Sequence, residues 1–295
     1  MLHAFCIDLE EWFHICGVST PYDDPNTWDA ALPFVESDTE VILGLLAEAG
    51  VRATFLTVGW ISDKYPGLIE KIAAAGHEIG CHTYYHRLLY TLSPDVFRRD
   101  LEKCLETLRL RSGQPVSIFR APGFSMKPEC YWVYPILCEY GITIDVSIVP
   151  AARDHGGIDG FVRDPFVLHT EAGALKVFPV SVARIAGKVM PFSGGGYLRL
   201  FPLALMHLGF RQNIAAGRPC MLYIHPRETN VQQPRLDLSM FKYFKYYVGL
   251  KSAENKLAAL LASYRFGTVS QVLETVSCWP DYKLDNGTIE PLRSS

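Results

Sequence analysis

Short apolar runs alternate with amphipathic segments along much of the chain, and a glycine often separates the two. Apolar or β-branched residues follow Gly50, Gly76, Gly113, Gly141 and Gly217. A glycine just past a helix end relieves left-handed backbone strain, and the short runs after it are typical of buried strands. The alternation predicts parallel β-α units, either closed into a barrel or arranged as an open, doubly wound sheet.

Helix-start signals precede several of these glycines. Residues 37–40 have the form of a capping box, and Ser93 followed by Pro94 predicts a helix that runs towards Arg111. Pro66 and Pro128 predict two further helix starts. In the second half, where the alternation weakens, we expect a strand at 175–182, a loop at 194–196, and helices at 198–216 and 250–264.

Composition excludes several classes of protein. The chain has 295 residues, of which 49% are hydrophobic and 20% charged, so it can bury a substantial core. Its net charge of −3 does not indicate a nucleic-acid partner. The longest apolar run, near 200–210, is far shorter than the ~20 residues that span a bilayer.

The N-terminus and the cysteines favour a reducing compartment. Asp8, Glu10 and Glu11 interrupt the place where a signal peptide keeps its apolar stretch. The eight cysteines include no C-x-x-C pair, and several lie in apolar runs where a thiol acts as a small hydrophobe. We therefore expect reduced cysteines and a cytoplasmic location.

Five ionisable residues lie at the carboxyl ends of five predicted strands. They are Asp8, His82, Arg120, Asp145 and His225. In a parallel α/β architecture these strand ends share one face, and that face carries the active site. The sequence therefore predicts a catalytic site built from these positions in either arrangement of the units.

His82 and His86 form an H-x-x-x-H pair that can bind one metal ion if the strand ends near His82. In an extended strand the same spacing would separate them by about 13 Å. An acidic third ligand suits zinc or a harder divalent ion. Asp8, Glu10 and Glu11 can supply it, and Asp8 and Glu10 point the same way if the first strand persists.

Arg120 lies between apolar neighbours, and arginine is rarely buried without a partner. A carboxylate such as Asp8 would satisfy it in a bidentate pair and stay ionised beside it. His225 ends a strongly apolar run, and its position with the other four residues favours a functional role.

Together these segments resemble the polysaccharide deacetylases with NodB-homology domains, carbohydrate esterase family 4. The resemblance covers almost the whole chain, and its matching pieces are 7–13, 54–56 with Gly59 and Trp60, 75–86, 119–122 and 144–147. Residues 194–226 resemble the C-terminal extension of the branch that occurs with exopolysaccharide and exosortase gene clusters.

The resemblance implies a distorted (β/α) barrel with fewer than eight units. It implies a single domain over 1–295 with a decorated C-terminal half, in which about 190–280 form an extension packed on the barrel. It also implies one divalent metal ion, usually zinc, and removal of N-acetyl groups from an amino-sugar-containing glycan or glycan precursor. The oligomeric state is not predicted.

The resemblance also assigns the site residues. The metal ligands are His82, His86 and Glu10, with Glu11 as the rival acid. Most of the family has adjacent aspartates in the first motif, and Glu10 is assigned because the spaced acids here resemble a subgroup with Asp-x-Asp. The other roles are the base Asp8, the Arg120 that tethers it, the acid His225, the Asp145 that orients this acid, and the Gly123 N–H that faces the oxyanion. Trp60, Pro122 and Arg227 are expected in the substrate pocket.

Two questions stay open at this point. Arg227 stands where the family leads us to expect an aromatic residue, which indicates either a charged acceptor or only a salt bridge at the rim. The alternatives to deacetylation are another C–N hydrolysis on the same scaffold, of a formamido sugar or a cyclic ureide, and a carbohydrate-binding protein without catalysis.

Overall fold

A computed structural model describes residues 1–153 and 156–292. Apolar runs of two to eight residues form its strands, and the first and longest of them is buried along almost its whole length. The strands are β1 (Leu2–Leu9), β2 (Thr54–Thr57), β3 (Glu78–Cys81), β4 (Ile118–Phe119), β5 (Ile144–Asp145), β6 (Phe166–Thr170), β7 (Gly173–Val177), β8 (Val182–Ile185), β9 (Lys188–Pro191), β10 (Met221–Ile224), β11 (Arg265–Gly267), β12 (Asp281–Asp285) and β13 (Thr288–Pro291).

Amphipathic segments between the strands form the helices, which bury their apolar faces in the core. They are α1 (Val35–Ala49), α2 (Gly59–Lys64), α3 (Pro66–Ala74), α4 (Pro94–Ser112), α5 (Val133–Glu139), α6 (Gly195–Leu200), α7 (Leu203–Ala215), α8 (Met240–Tyr247), α9 (Leu250–Ser263) and α10 (Val269–Glu274). None of the helices within the described ranges combines the length and apolarity needed to cross a membrane.

The main sheet is mostly parallel. Its strand order is β10-β1-β2-β3-β4-β5-β7-β6-β12-β13, and β11 pairs with β1. The pairings from β10 through β5 to β7 are parallel, whereas β6 with β7 and β12 with β13 are antiparallel. The predicted single-domain α/β fold of parallel units is therefore confirmed. Among the described residues, no hydrogen-bonded pairing joins the two ends of this strand order.

Local capping signals account for some helix boundaries. The Ser93 hydroxyl accepts a hydrogen bond from the Val96 N–H at 3.4 Å, and α4 ends at Gly113, whose φ of 64° is left-handed. The capping box predicted at 37–40 is wrong, because α1 begins earlier, at Val35. The carboxylate of Glu11, distant in sequence, accepts hydrogen bonds from the Phe34 and Val35 N–H groups instead.

Prolines divide two of the predicted elements. The helix expected at 198–216 is two helices, because Pro202 lacks the N–H that a continuous helix needs. The strand expected at 175–182 likewise divides around Pro179 into the end of β7 and the start of β8. The loop expected at 194–196 instead contributes the first turn of α6.

The parallel strands bring the predicted site residues to one edge of the sheet. The register aligns Ile7 with Ile224, Cys81 with Phe119, and Phe119 with Asp145. The residues that follow β1, β3, β4 and β10 therefore leave the sheet at the same end, as predicted for strands of this kind.

Candidate active site

Glu10, His82 and His86 converge on a single point. The Oε1 atom of Glu10 lies 3.1 Å from the Nε2 atom of His82 and 3.0 Å from the Nε2 atom of His86. All three side chains are buried, and their ligand atoms lie within 4.8 Å of one another. This is the group of one acid and two histidines that the sequence predicts.

A strained turn brings the two histidines together. Strand β3 ends at Cys81, after which Thr83 and His86 have φ angles of 60° and 50°. Such angles are uncommon for residues other than glycine. The Asp100 carboxylate from α4 stabilises the turn by accepting hydrogen bonds from two of its N–H groups, so the two imidazole centroids lie 5.0 Å apart.

The donor set fits a divalent cation. The Nδ1 atom of His82 lies 2.8 Å from the Arg120 carbonyl oxygen. A carbonyl can only accept, so Nδ1 carries a proton, and a neutral ring in this tautomer would direct its Nε2 lone pair towards Glu10. Hydrogen bonding of the second ring nitrogen in this way is typical of histidines that bind metal. A cation between Nε2 and the carboxylate would satisfy both acceptors.

Electrostatic interactions in this cluster favour a negative Glu10 carboxylate beside a positively charged His86 imidazole. Burial would raise the pKa of Glu10, but His86, His225 and His82 hold that pKa well below its ordinary value. Burial would lower the pKa of His86, but Glu10 and Cys16 hold it well above its ordinary value. Glu10 is therefore an ionised carboxylate that attracts positive charge to this point.

Asp8 and Arg120 form a buried ion pair next to the cluster. The guanidinium is fully buried, and its Nη1 donates to Oδ1 of Asp8. Its Nε donates to the Val146 carbonyl oxygen at 3.3 Å. Burial would lower the pKa of Arg120, but Asp8 raises it, so the guanidinium stays protonated. The structure thus places Arg120 against Asp8 as predicted, with Oδ2 of Asp8 3.8 Å from Nε2 of His225.

The carboxylate beside Nδ1 of His225 is that of Glu228. Its Oε1 atom lies 3.3 Å from Nδ1 of His225, and Nε of Arg199 lies 3.6 Å from the same oxygen. Burial would lower the pKa of His225, but Glu10, Glu228 and Asp8 hold it above its ordinary value. His225 is therefore a partly buried imidazole surrounded by carboxylates that favour its charged form.

The predicted contact between Asp145 and His225 is wrong. The two oxygens of the Asp145 carboxylate accept hydrogen bonds from the hydroxyl groups of Ser147 and, at 3.2 Å, Tyr134. Burial raises the pKa of Asp145 to about 6. Because β5 directs this side chain towards Tyr134 of α5, Asp145 belongs to the hydrogen-bonded interior beneath Arg120.

The structure separates the two candidate acids. Glu10 faces the histidines, whereas Glu11 accepts hydrogen bonds from the Phe34 and Val35 N–H groups at the start of α1. Adjacent residues at the end of a strand point to opposite sides. The geometry therefore favours Glu10 as the ligand and gives Glu11 a capping role.

A cavity of about 430 Å³ opens above these groups. Gly123 and Arg227 border it, as predicted for the oxyanion position and the substrate pocket. Trp60 does not border it, because this indole packs on Trp28 with ring centroids 5.2 Å apart. Pro122 is buried behind Gly123 and does not border it either.

Sequence reasoning missed several residues of this cavity, among them His14, Cys16, Arg153, Tyr197, Arg199, Glu228 and α8 residues Phe241, Phe244, Lys245 and Tyr246. Only Glu228 had a local signal, since an acid three residues after His225 can reach its ring across one turn. The other residues border the cavity because of tertiary packing, which leaves no local signal in the sequence.

Two family models match consecutive parts of the chain. The family described as "Polysaccharide deacetylase" matches residues 23–135, and the family described as "Domain of unknown function (DUF3473)" matches residues 146–274. The first match contains His82, His86 and Gly123, and the second contains His225 and Glu228.

Among curated relatives, a peptidoglycan-N-acetylglucosamine deacetylase of Bacillus cereus is 34% identical over 119 residues, which are 39% of this chain and 42% of the relative. Chitin deacetylase 1 of Saccharomyces cerevisiae is 26% identical over 139 residues, 47% of this chain and 41% of the relative. The chain thus spans less than half the length of these relatives.

Among solved structures, a putative polysaccharide deacetylase from Mycobacterium smegmatis superposes with a TM-score of 0.60 at 23% identity. The superposition covers 92% of this chain and 88% of that one. This likeness shows that the two chains share a fold. The family match over residues 23–135 and the curated relatives support membership of the polysaccharide deacetylase family.

Proposed function

We propose that this protein is a metal-dependent hydrolase that removes N-acetyl groups from an amino-sugar-containing glycan or glycan precursor. The observation that carries the proposal is that three side chains of metal-ligand type, the Asp8–Arg120 pair and His225 lie together at one cavity. The residues of this group that border the cavity are Asp8, Glu10, His86 and His225. The names of the two curated relatives support an N-acetylated sugar as substrate. The resemblance to the exopolysaccharide-associated branch extends the proposal to an exopolysaccharide.

Glu10, His82 and His86 would hold one divalent ion. Two imidazoles and one carboxylate form a donor set that suits zinc and leaves coordination positions open for catalysis. When bound, such an ion polarises a carbonyl group and lowers the pKa of a coordinated water molecule.

Asp8 is proposed as the general base. Its Oδ1 accepts a hydrogen bond from Arg120, which fixes the direction of the carboxylate. Its Oδ2 remains on the side of the cavity, where it can take a proton from the attacking water. This assignment gives Arg120 a positioning role, because it acts only through Asp8.

His225 is proposed as the general acid. Its Nε2 faces the cavity, and Glu228 accepts from Nδ1, so the ring is oriented and its charged form is stabilised. It would donate a proton to the leaving amine as the C–N bond breaks. The Gly123 N–H, which borders the cavity, is proposed to stabilise the oxyanion of the tetrahedral intermediate. The products are a free amino sugar and acetate.

Separate assays of acetate, formate and ring opening test this proposal against the two other C–N hydrolyses. The metal-loaded protein should release acetate from N-acetylated oligosaccharides and should leave formamido sugars and cyclic ureides unchanged. The Asp8→Asn variant should retain the metal and the fold while the rate falls about 10²–10⁴-fold. Near-native turnover in that variant would refute the base assignment, and formate or ring-opened product alone would refute deacetylation.

A further inference from the structure

Positive side chains border the cavity in addition to the groups already assigned. They are Arg153, Arg199, Arg227 and Lys245. The acidic groups of the same cavity already have partners: Asp8 pairs with Arg120, Glu10 with the two histidines, and Glu228 with His225 and Arg199. A bound divalent ion would make the cavity still more positive. Among the described residues, no acid forms an ion pair with Arg153 or Arg227.

Arg199 has a structural role that accounts for its charge. Its Nη1 donates to the carbonyl oxygens of Tyr246 and Val248 at 2.8 and 3.1 Å, and its Nη2 donates to that of Lys245 at 3.2 Å. These carbonyls lie at the carboxyl end of α8, where a cation is favourable. Arg199 thus holds α8 over the cavity and does not require a ligand.

Arg227 has no comparable set of partners. The residue is only 8% exposed, and its guanidinium lies 5.3 Å from the Tyr246 ring centroid. Within the described part of the chain, its side chain forms no hydrogen bond and no ion pair. Glu228 is close enough for Arg227 to help hold its pKa low, but the two form no ion pair. The rim salt bridge, one of the two meanings considered for Arg227, is therefore absent from the described residues.

Arg153 presents a second guanidinium with unused donors. It stacks on Phe124, 5.2 Å from the ring centroid, in the wall that also contains Gly123. Its Nη1 is buried, and no described residue accepts a hydrogen bond from it. A buried guanidinium donor without an acceptor is costly. An oxyanion bound in the cavity would supply that acceptor.

We infer that the substrate carries an anionic group, a carboxylate or a phosphate, that Arg153 and Arg227 bind beside the acetamido group. This inference rests on the proposed deacetylation and specifies its substrate class as an acidic sugar. Guanidinium groups bind both oxyanions through paired N–H donors. The acidic group would form the ion pairs with these arginines that no described acid forms.

The test compares matched neutral and acidic sugars on the metal-loaded full chain. One pair is a disaccharide of N-acetylglucosamine and glucose, and the same disaccharide with the glucose oxidised to glucuronate. The other pair is N-acetylglucosamine and its 1-phosphate. Acetate release gives kcat/KM, and calorimetry on the Asp8→Asn variant gives binding that is independent of turnover.

We expect at least one acidic sugar to be preferred about tenfold or more over its neutral partner, as for a hydrogen bond to a charged group. Which pair shows the preference distinguishes carboxylate from phosphate. Arg227→Gln and Arg153→Gln should each reduce the preference, and Arg227→Lys should retain part of it. Arg235→Gln removes an exposed arginine outside the cavity and serves as the matched control, which should leave the preference unchanged.

Equal binding of acidic and neutral sugars by the wild type would overturn the inference, as would a preference that survives both arginine-to-glutamine changes. Failure of the proposed function gives a different result, since the acidic sugar would then bind through Arg227 without acetate release. Thermal unfolding of each variant shows whether it is folded. If Arg227→Gln does not fold, Arg227→Lys still tests the role of the guanidinium group.

Discussion

Nδ1 of His225 lies 3.3 Å from Oε1 of Glu228, the third residue along the turn that Pro226 begins. The contact depends on a glycine from another segment, because a Cβ atom on Gly195 would lie 2.3 Å from the same oxygen. The glycine-rich start of α6 thus leaves room for the carboxylate that orients His225. A local acid occupies the position beside Nδ1 of His225 that the resemblance assigns to Asp145.

Glu228 and His225 should act as one unit. Glu228→Gln should lower kcat about 10²-fold with a smaller change in KM, because an unoriented ring is a poorer proton donor. The effects of Glu228→Gln and His225→Ala should be strongly non-additive in a double-mutant cycle. Substrates with better leaving amines should recover part of either loss.

Asp145→Asn supplies the control for this cycle. Asp145 does not contact His225, so the reductions in kcat caused by Asp145→Asn and His225→Ala should multiply in the double mutant. Non-additivity with Asp145 and simple multiplication with Glu228 would restore the assignment made from the resemblance. Metal content and thermal unfolding should be measured in parallel, since Glu228 also balances Arg199.

Substitution of Glu10 should remove metal binding, whereas substitution of Glu11 should reduce stability. Glu10→Gln should abolish stoichiometric metal binding. Glu11→Gln should keep the metal and lower the free energy of unfolding by about 1–3 kcal/mol, because its amide group meets N–H donors at the start of α1. Metal analysis and urea unfolding of both variants measure this difference. Loss of metal in Glu11→Gln alone would reverse the assignment.

Gly123→Ala and Gly113→Ala form a matched pair. Both glycines have left-handed φ angles, 59° and 64°, so each substitution should cost about 1–2 kcal/mol of stability. A Cβ atom on Gly123 would also lie 2.9 Å from Cδ2 of Leu88, whereas one on Gly113 meets nothing within 4 Å. Only Gly123→Ala should displace the oxyanion donor and reduce kcat, by up to about 10³-fold. Equal activity of the two variants would exclude Gly123 from the oxyanion site.

Asp38 should make stability depend on pH. Burial, with a further contribution from Glu11, raises the pKa of Asp38 to about 7 from its ordinary value of 3.8. The folded state therefore keeps a proton that the unfolded chain loses, and stability should fall as the pH rises from about 4 to 7. Asp38→Asn should remove this loss, because an amide oxygen can still accept from Asn230 at 2.8 Å.

Urea unfolding of the wild type and Asp38→Asn between pH 4 and pH 8 measures the effect. The stability difference should grow in favour of the variant as the pH rises and should level off above 7. A constant difference across the range would mean that Asp38 titrates normally in the folded protein.

The parts of the structure that depend on local sequence could be predicted. Ser93 caps α4 within its own turn, and the short apolar runs after glycines became parallel strands whose ends meet at one edge. The ends of parallel strands share a face in any such sheet, which is why Asp8, His82 and His225 could be assigned to one site before the fold was known.

The parts that depend on tertiary partners could not be predicted. The start of α1 is set by Glu11, which lies 24 positions before Val35. A strand end showed the direction of Asp145 but not that Tyr134 and Ser147 would occupy its oxygens. The wall formed by α8 depends on carbonyl groups that Arg199 binds from a distant segment. None of these tertiary contacts produces a periodicity or a residue spacing that can be recognised in the sequence.

Acetate release measured against bound metal tests whether hydrolysis requires an ion bound by Glu10, His82 and His86. The protein is stripped with a chelator and reloaded with zinc in substoichiometric steps, and the rate on an N-acetylated oligosaccharide is recorded at each step. The rate should be near zero without metal, rise linearly and reach a plateau at one ion per chain, while His82→Ala should bind little metal and remain inactive. Full acetate release by the stripped protein, or stoichiometric metal in His82→Ala, would contradict the metal-dependent mechanism at this site.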